Sequence, residues 1–264
     1  MPELPEVESV VRTLAPHLPG RRIVAAEFSS RFVTPGNRKA LARRFVGRTI
    51  LSVKRRGKYI VMALDGTDGS TETLVVHLGM TGRLLLDGLP EKHTQGFFTL
   101  DQGTLAYNDP RQFGRILFDP DLTHLGPEPL EVTLDEFAAR LKTHKTRIKA
   151  LLLNQSFVAG VGNIYADETL FSAGVHPLTL TSRVKPKRIA AIHHSMRRIL
   201  ARAIEKGGSS ISDYVDANGQ KGWFQLEHHA YGREDEPCHV CGTAIKKILV
   251  TQRGTHFCPQ CQKR

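Results

Sequence analysis

The sequence predicts an α+β protein in which an N-terminal helix and an antiparallel β-sandwich precede a helical region and a C-terminal hairpin. Three features of its 264 residues support this prediction. Short β-rich runs separated by Gly, Asp and Pro fill residues 21–118, and apolar residues recur at helical spacing after residue 133. All four cysteines fall within the last 27 residues. We therefore divide the chain into three regions, residues 1–130, 131–229 and 230–264.

The first region begins with an amphipathic helix. Residues 6–15 read EVESVVRTLA, in which Val7, Val10, Val11 and Leu14 share one helical face, and Pro5 suits the start of a helix. The runs that follow have the length and composition of antiparallel strands: RRIVAAEF, ILSVKRR, KYIVMAL, TLVVHL, RLLLD, FFTL, TLAYN and RILF. The Pro- and Gly-marked segment 123–133 predicts the boundary to the next region.

Helices dominate the second region. One helix is predicted around residues 134–141, and a longer one runs from about residue 186 to 206, where Gly207-Gly208 ends it. Between them, residues 146–171 read TRIKALLLNQSFVAGVGNIYADETLF and predict a helix-two-turn-helix, whose second helix opens near Asn163. Helix-start N–H groups attract phosphate, and Lys145, Arg147 and Lys149 stand beside this turn. The alternative is a helical hairpin whose glycines only permit a tight turn.

The charge of the chain favours a polyanionic partner. Lys plus Arg number 37 against 26 Asp plus Glu, for a formal charge of +11 and a pI of about 9.7. Nucleic acid is the first candidate, with a basic but non-binding surface or an anionic membrane as alternatives. No apolar run approaches the roughly 18 residues of a spanning helix, and no signal-peptide pattern is present. We expect a monomer that is cytoplasmic and nucleoid-associated, not secreted.

The cysteines predict a structural metal site. Cys238, Cys241, Cys258 and Cys261 follow the pattern C-x2-C-x16-C-x2-C, which is typical of a four-thiolate zinc site without an open position for substrate. Two disulfides in an exported protein are the alternative. We expect one structural Zn²⁺ and no redox or organic cofactor. The intervening KKILVTQRGTHF predicts a basic hairpin that turns at Arg253-Gly254 and carries Lys246 and Lys247.

Six motifs occur together and in a fixed order: PELPEVE at the N-terminus, GKYI (57–60), HLGMTG (77–82), DPRQFG (109–114), GVGNIYADE (160–168) and the four-cysteine hairpin. In this combination the chain resembles the formamidopyrimidine-DNA glycosylases over nearly its whole length. The resemblance implies a bifunctional DNA glycosylase and AP lyase of base excision repair, which excises oxidised purines such as 8-oxoguanine and formamidopyrimidines from duplex DNA.

The resemblance also implies how the N-terminus reacts. Removal of Met1 leaves a secondary amine on Pro2, and an α-amino group with a pKa near 8 is partly unprotonated at neutral pH. In the family this amine attacks C1′ of the damaged nucleotide and forms a Schiff base, after which β- and then δ-elimination cut the strand. Glu3 matches the general acid/base, and Glu6 matches a residue that supports the N-terminus.

Further residues match family positions that bind or process DNA. Lys58 resembles the lysine assigned to phosphate contact and proton donation in β-elimination. Arg253 matches the arginine that grips the flanking phosphates and is implicated in δ-elimination. Asn163 matches the phosphate-binding asparagine of the turn. Glu168 is expected to support the site, and the other matching DNA contacts are His93, Arg111 and Lys149.

Chemistry on a stacked base requires extrusion of that base, which leaves a void in the duplex. The family fills the void with three side chains, and Met80, Arg111 and Phe113 occupy those positions here. The Gly-punctuated stretch 212–225 resembles the loop that closes over the extruded base. Trp223 lies in this stretch, and a purely structural role is the alternative for it. The alternative is that Met80 and Phe113 are residues of the hydrophobic core.

Two departures and two alternatives remain open from the sequence. Gln112 stands where a second arginine is common, and KHTQGFF (92–98) lacks a second histidine and a following acid, which weakens the expectation for His93. Endonuclease VIII, the relative that prefers oxidised pyrimidines, usually has Gly where Leu4 stands and has different wedge residues. A non-enzymatic DNA-binding protein is the alternative from another class.

Overall fold

The computed structural model describes residues 1–66, 69–211 and 214–264. By their contacts, these residues form two compact units, the first made of Met1–Leu122 with Lys206–Trp223 and the second of Thr123–Glu205 with Phe224–Arg264. The three-part division of the sequence remains a prediction. The structure adds that Lys206–Trp223 belongs to the first unit. No helix in the described part of the chain is both long and apolar enough to cross a membrane.

The first unit is a β-sandwich with two helices. One antiparallel sheet has the order β1-β6-β7-β5 and the other the order β2-β3-β4-β8, so the predicted antiparallel sandwich is confirmed. The elements are α1 (Leu4–Leu14), β1 (Ile23–Phe28), α2 (Arg38–Phe45), β2 (Ile50–Arg56), β3 (Tyr59–Asp65), β4 (Thr71–His77), β5 (Arg83–Leu86), β6 (Thr94–Leu100), β7 (Thr104–Asn108) and β8 (Arg115–Phe118). All eight predicted β-rich runs form strands.

A single hydrophobic cluster joins both sheets of this unit. Val7, Val10 and Leu14 of α1 are completely buried in it, as the helical spacing of the sequence predicts. Tyr214 and Ala217 lie in the same cluster, which anchors the segment that follows the last long helix. The helix α1 packs against β2 and β3, so the N-terminal helix is attached to the sheet that these strands begin.

The second unit contains the remaining elements. They are α3 (Leu134–Lys142), α4 (Ile148–Leu153), α5 (Asn163–Ser172), α6 (Pro186–Glu205), β9 (Lys246–Val250) and β10 (Arg253–Phe257), with short 3-10 turns at Thr181–Arg183 and Phe224–Glu227. The predicted helix-two-turn-helix corresponds to α4 and α5, and α5 begins at Asn163 as expected.

The predicted position of the C-terminal hairpin turn is wrong by two residues. Arg253 pairs with Val250, so Thr251 and Gln252 form the turn and Arg253 is the first residue of β10. Thr251 has φ +48° and Gln252 has φ +58°. Glycine adopts positive φ most easily, but here two non-glycine residues take up that conformation and Gly254 belongs to β10.

Candidate functional site

The N-terminus of α1 is fixed by acidic side chains. Pro2 is buried, and Glu3, which is the N-cap, is 2% exposed. The backbone N–H of Glu3 donates to Oε2 of Glu6 at 2.8 Å, which satisfies one of the donors that a helix start leaves unpaired. The acidic, proline-containing tip therefore has one defined conformation inside the unit.

Glu6 also ties this tip to a segment two hundred residues further along the chain. Its Oε1 accepts the backbone N–H of Ser209 at 2.7 Å, and the hydroxyl of Tyr214 donates to the Glu6 carbonyl at 3.1 Å. Gly208 has φ +82°, and a Cβ there would lie 2.7 Å from Glu6 Oε1. Glycine is thus required for this close approach, and the support role expected of Glu6 has a structural basis.

Lys58 lies in the turn between β2 and β3, directly after Gly57 with its φ of +55°. The side chain of Lys58 is largely buried, unlike that of an ordinary strand-surface lysine. Arg55 of β2 pairs with Glu8 of α1 at 2.9 Å, so the strand that leads into this turn is attached to the N-terminal helix.

His77 lies at the end of β4 and faces the same cationic environment. Burial, together with the charges of Lys58 and Arg115, lowers the pKa of His77 to about 4. Its Nδ1 accepts the backbone N–H of Gly79 at 3.2 Å. A neutral imidazole therefore connects the neighbourhood of Lys58 to the loop that carries Met80.

The predicted wedge residues lie on two loops, residues 78–82 and 109–114, which we call the wedge loops. Phe113 is 51% exposed, and Arg111, also exposed, stacks over its ring at 4.6 Å. Met80 is half-buried, and His93 is exposed. Phe113 is therefore not a core residue, and an exposed aromatic ring beside an arginine can stack on bases.

Asp109, which the sequence reasoning did not single out, holds the wedge loops together. Its carboxylate is completely buried and accepts from Thr81 Oγ1 at 2.6 Å, from the Gly114 N–H at 2.8 Å and from the Tyr107 hydroxyl at 3.2 Å. The backbone N–H of Asp109 donates to the carbonyl of His93 at 2.9 Å. The DPRQFG motif contains Asp109, but only its arginine and phenylalanine were assigned a function from the sequence.

In the second unit, Asn163 and Arg253 are brought close together. Asn163 is the first residue of α5, and its Nδ2 donates to the carbonyl of Gly254 at 2.9 Å. Gly160, with φ +92°, shapes the turn before it, and the Gly160 N–H donates to Gln155 Oε1 at 2.9 Å. The exposed Arg253 therefore stands beside a helix N-terminus, where anions are favoured.

Lys149 does not lie on an accessible surface. It is completely buried, and its Nζ lies 2.7 Å from Asp167 Oδ1 and donates to Thr255 Oγ1 at 2.7 Å. The structure thus gives this lysine partners inside the protein, and the sequence offered no sign of them.

Glu168 supports the chain that leads to the cysteines. Its carboxylate accepts the backbone N–H groups of His229, Ala230 and Tyr231 at 3.0, 2.9 and 2.8 Å. Burial raises the pKa of Glu168, and the three N–H donors oppose that effect. Its expected support role is therefore structural and lies within the second unit.

The four cysteines converge on one point. Their Sγ atoms lie within 4.8 Å of one another, with 4.0 Å between Cys238 and Cys261 and 3.5 Å between Cys241 and Cys258. A tetrahedral zinc ion bound at about 2.3 Å from each sulfur sets the sulfurs about 3.8 Å apart, which fits this cluster. A disulfide requires about 2.0 Å between sulfurs, and all four thiols are free.

Comparison with known families accounts for most of the chain. Residues 1–116 match the formamidopyrimidine-DNA glycosylase N-terminal domain, residues 125–215 the H2TH domain of the same enzymes, and residues 235–264 a zinc finger found in FPG and IleRS. The fold and the site therefore define a DNA glycosylase of the class that carries an H2TH domain and a zinc finger.

Full-length relatives narrow the class to one family. The chain is 54% identical to a formamidopyrimidine-DNA glycosylase of Solibacter usitatus (strain Ellin6076) over 100% of both chains. It superposes with TM-scores of 0.90 and 0.88 on crystal structures of Lactococcus lactis Fpg, one a mutant bound to a Fapy-dG containing DNA and one bound to an abasic site containing DNA. Each is 36% identical; the first match covers 100% of both chains, and the second covers 99% of this chain and 100% of the other. The chain belongs to the formamidopyrimidine-DNA glycosylase family, for which glycosylase and lyase activities are known.

Proposed function

We propose that this enzyme excises oxidised purines from duplex DNA with the amine of Pro2 as nucleophile and then cleaves the strand by β,δ-elimination. The observation that carries the proposal is the buried start of α1, where the Glu6 carboxylate accepts the backbone N–H groups of Glu3 and Ser209 and so fixes the Pro2-Glu3 tip. The titles of related structures add support, because the Lactococcus lactis enzyme is complexed with Fapy-dG containing and abasic DNA.

The first step replaces the base by the enzyme. With Met1 attached, the nitrogen of Pro2 is an amide and is not nucleophilic; its removal leaves a secondary amine. That nitrogen bonds to C1′ while the bond from C1′ to the base breaks, and the base leaves with the electron pair. The N–H proton of the Pro2 amine passes to the departing base and neutralises it. Glu3 donates a second proton to the sugar ring oxygen as the C1′–O4′ bond opens, and the nitrogen lone pair forms the C1′=N⁺ bond of an iminium.

The second stage cuts the strand. The iminium withdraws electrons and acidifies the C2′ hydrogens, so loss of one proton expels the 3′ phosphate and a further elimination expels the 5′ phosphate. Lys58 and Arg253 carry the positive charge that these phosphates require. Asn163 and the N-terminus of α5 bind the DNA backbone, and His93 provides a further contact.

The wedge loops stabilise the extruded state. Met80 and Phe113 insert between bases, and Arg111 bonds to the base left without its partner. The exposure of Phe113 and the stacking of Arg111 over its ring support this assignment. The stretch 212–225 closes over the extruded base; Ser212 and Asp213 of this stretch lie outside the described residues, and Trp223 within it is 61% exposed.

Zinc holds the C-terminal hairpin in shape. Cys238, Cys241, Cys258 and Cys261 bind one structural Zn²⁺, and the ion supplies folding energy that a hairpin of this size lacks alone. Through this ion the hairpin presents Arg253 to the DNA.

Borohydride trapping tests the proposal. The enzyme is mixed with a duplex that contains 8-oxoguanine or an abasic site, and we expect a covalent adduct whose mass contains the chain without Met1. Glu3→Gln should lower single-turnover base removal by about 10²- to 10⁴-fold, because the ring oxygen loses its proton donor, and should leave duplex affinity nearly unchanged.

Glu27→Gln, an exposed acid on β1, is the matched control and should excise normally. Full excision by Glu3→Gln would refute the role of Glu3. An active protein that retains Met1 in the adduct would refute the role of Pro2. Excision assays on matched purine and pyrimidine lesions then decide the lesion preference.

A further inference from the structure

The base of the Arg253 strand is attached to the helix-two-turn-helix at successive backbone groups. The carbonyl of Gly254 accepts from Asn163 Nδ2 at 2.9 Å and from Lys149 Nζ at 3.3 Å. The backbone N–H of His256 donates to Asp167 Oδ2 at 2.9 Å. The hydroxyl of Thr255 donates to the carbonyl of Arg253 itself at 3.0 Å. The arginine is exposed and Gly254 is half-buried, whereas Thr255 and His256 are buried.

A buried ion pair lies at the centre of these contacts. Lys149 Nζ and Asp167 Oδ1 are 2.7 Å apart, and both side chains are 0% exposed. Lys149 also donates to Thr255 Oγ1 at 2.7 Å, and the Thr255 hydroxyl donates to the Arg253 carbonyl. The ion pair and these two hydrogen bonds therefore connect Asp167 to the backbone of Arg253. A buried ion pair is stable only when complete, because removal of one partner leaves the other charge uncompensated.

The turn that precedes Arg253 needs such an anchor. Thr251 and Gln252 both adopt positive φ, which is unfavourable for a β-branched residue and for a long side chain. Residues in such conformations persist only when the surrounding structure holds them there. The contacts on Gly254, Thr255 and His256 begin immediately after this turn and provide that support.

We propose that Asp167 is a positioning residue for Arg253. Asp167 orients Lys149, which fixes Thr255 and Gly254, and the guanidinium of Arg253 is thereby delivered at a defined place relative to Asn163. The inference rests on the proposed function, in which Arg253 grips phosphates and assists δ-elimination. It also gives Lys149 its role: the lysine acts on DNA through the arginine that it positions.

Two variants test the link from opposite ends. Asp167→Asn keeps the size of the side chain and removes its charge, and Thr255→Val removes only the hydroxyl relay and leaves the ion pair intact. Both should raise the Kd for a duplex with a tetrahydrofuran abasic analogue by about 10- to 100-fold and lower the ratio of δ- to β-elimination product, because a displaced contact group loses most of its effect. Thr255→Ser keeps the hydroxyl and should restore both values.

Two controls separate positioning from general damage to the fold. The rate of borohydride-trapped adduct formation at saturating DNA should stay within about twofold of the wild type, since the amine of Pro2 belongs to the other unit. Asp135→Asn, which removes an exposed carboxylate from α3 of the same unit, should change neither Kd nor product ratio.

A double-mutant cycle with Arg253→Ala decides the proposal. If Asp167 acts through Arg253, Thr255→Val and Asp167→Asn should have less than about a twofold effect once the arginine is gone. Effects of equal size in both backgrounds would overturn the positioning role while leaving the glycosylase proposal intact. A wild-type protein that forms no trapped adduct would instead overturn the proposed function.

Discussion

At the scale of single residues, the first unit shows how ordinary side chains acquire special chemistry from their surroundings. Glu6 uses both carboxylate oxygens, one on the Glu3 N–H and one on the Ser209 N–H, and so fixes the start of the chain. Lys58 is buried in a turn instead of exposed on a strand. Burial, followed by the charge of Lys58, lowers the pKa of His77, whose ring nitrogen accepts the Gly79 N–H.

His77 gives a pH prediction at this scale. Its folded-state pKa of about 4 lies below the ordinary value of 6.5, so between these values the unfolded chain binds a proton that the folded chain excludes. Stability is therefore full above pH 6.5 and is lost as the pH falls toward 4, at up to about 1.4 kcal/mol per pH unit. His77→Gln should flatten this part of the profile, as measured by thermal unfolding at a series of pH values.

Burial also lowers the pKa of His228 to about 4. His228 is present in both the wild type and His77→Gln, so the difference between their two stability profiles reports His77 alone. His17→Gln, at an exposed position, is the control and should leave the profile unchanged. If the wild type and His77→Gln lose stability in parallel between pH 6.5 and 4, a neutral buried His77 is not the cause.

At the scale of elements, the wedge loops depend on a contact between two backbones. Gly79 has φ +64°, and a Cβ there would lie 2.4 Å from the Gly114 nitrogen, so the loops touch where neither has a side chain. Gly79→Ala should force them apart, which should weaken binding to a lesion duplex and lower the melting temperature. Fluorescence anisotropy and calorimetry measure the two effects.

Gly47→Ala is the matched control for that variant. Gly47 also has positive φ, at +87°, but a Cβ there meets nothing within 4 Å. This variant should show only the cost of the backbone conformation, about 1–2 kcal/mol, and should bind the duplex normally. Equal loss of affinity in both variants would contradict the loop contact as the cause.

The elements also show what the sequence could and could not predict. The eight strands of the first unit were predictable because β-branched and aromatic residues alternate between turn residues. The helix α2 was missed, because RKALARRF reads as a charged surface and only Phe45 is buried; this ring packs against Phe28, Phe98 and Phe118. Helix propensity alone could not reveal that anchor.

The candidate site divides in the same way. The cysteines could be named from their spacing, and their Sγ atoms converge in the structure. Pro2, Glu3 and Arg253 were assigned through the resemblance of whole motifs, and their roles remain predictions. The partners of Lys149 could not be named from the sequence, because a lysine in a basic stretch reads as a surface residue and its pairing with Asp167 and Thr255 depends on three separate elements. Asp109 does begin a recognisable motif, but its contacts with Thr81 and Tyr107 depend on other segments of the chain.

At the scale of the whole molecule, each unit contains a hydrophobic cluster built from its own residues. The cluster that fills the sandwich consists of residues of the first unit. The cluster around the metal site joins Phe171, Ala230 and Ile245 to Cys238 and Cys258 within the second unit. Loss of a metal should therefore unfold the hairpin without unfolding the sandwich, because the free energy of metal binding stabilises only the hairpin.

This separation yields the last prediction, for metal removal. Chelation should weaken duplex binding, and the plot of log K against log salt should become shallower by about 1 for each cation that the hairpin no longer presents, with Lys246, Lys247 and Arg253 as the candidates. Calorimetry should show that the sandwich still melts cooperatively, and added zinc should restore the affinity and the slope together. Metal analysis must confirm that the ion has left. A metal-free protein that kept both the wild-type affinity and the wild-type slope would show that the hairpin contributes no phosphate contacts, and the basic surface of the remaining chain would then have to account for the salt dependence.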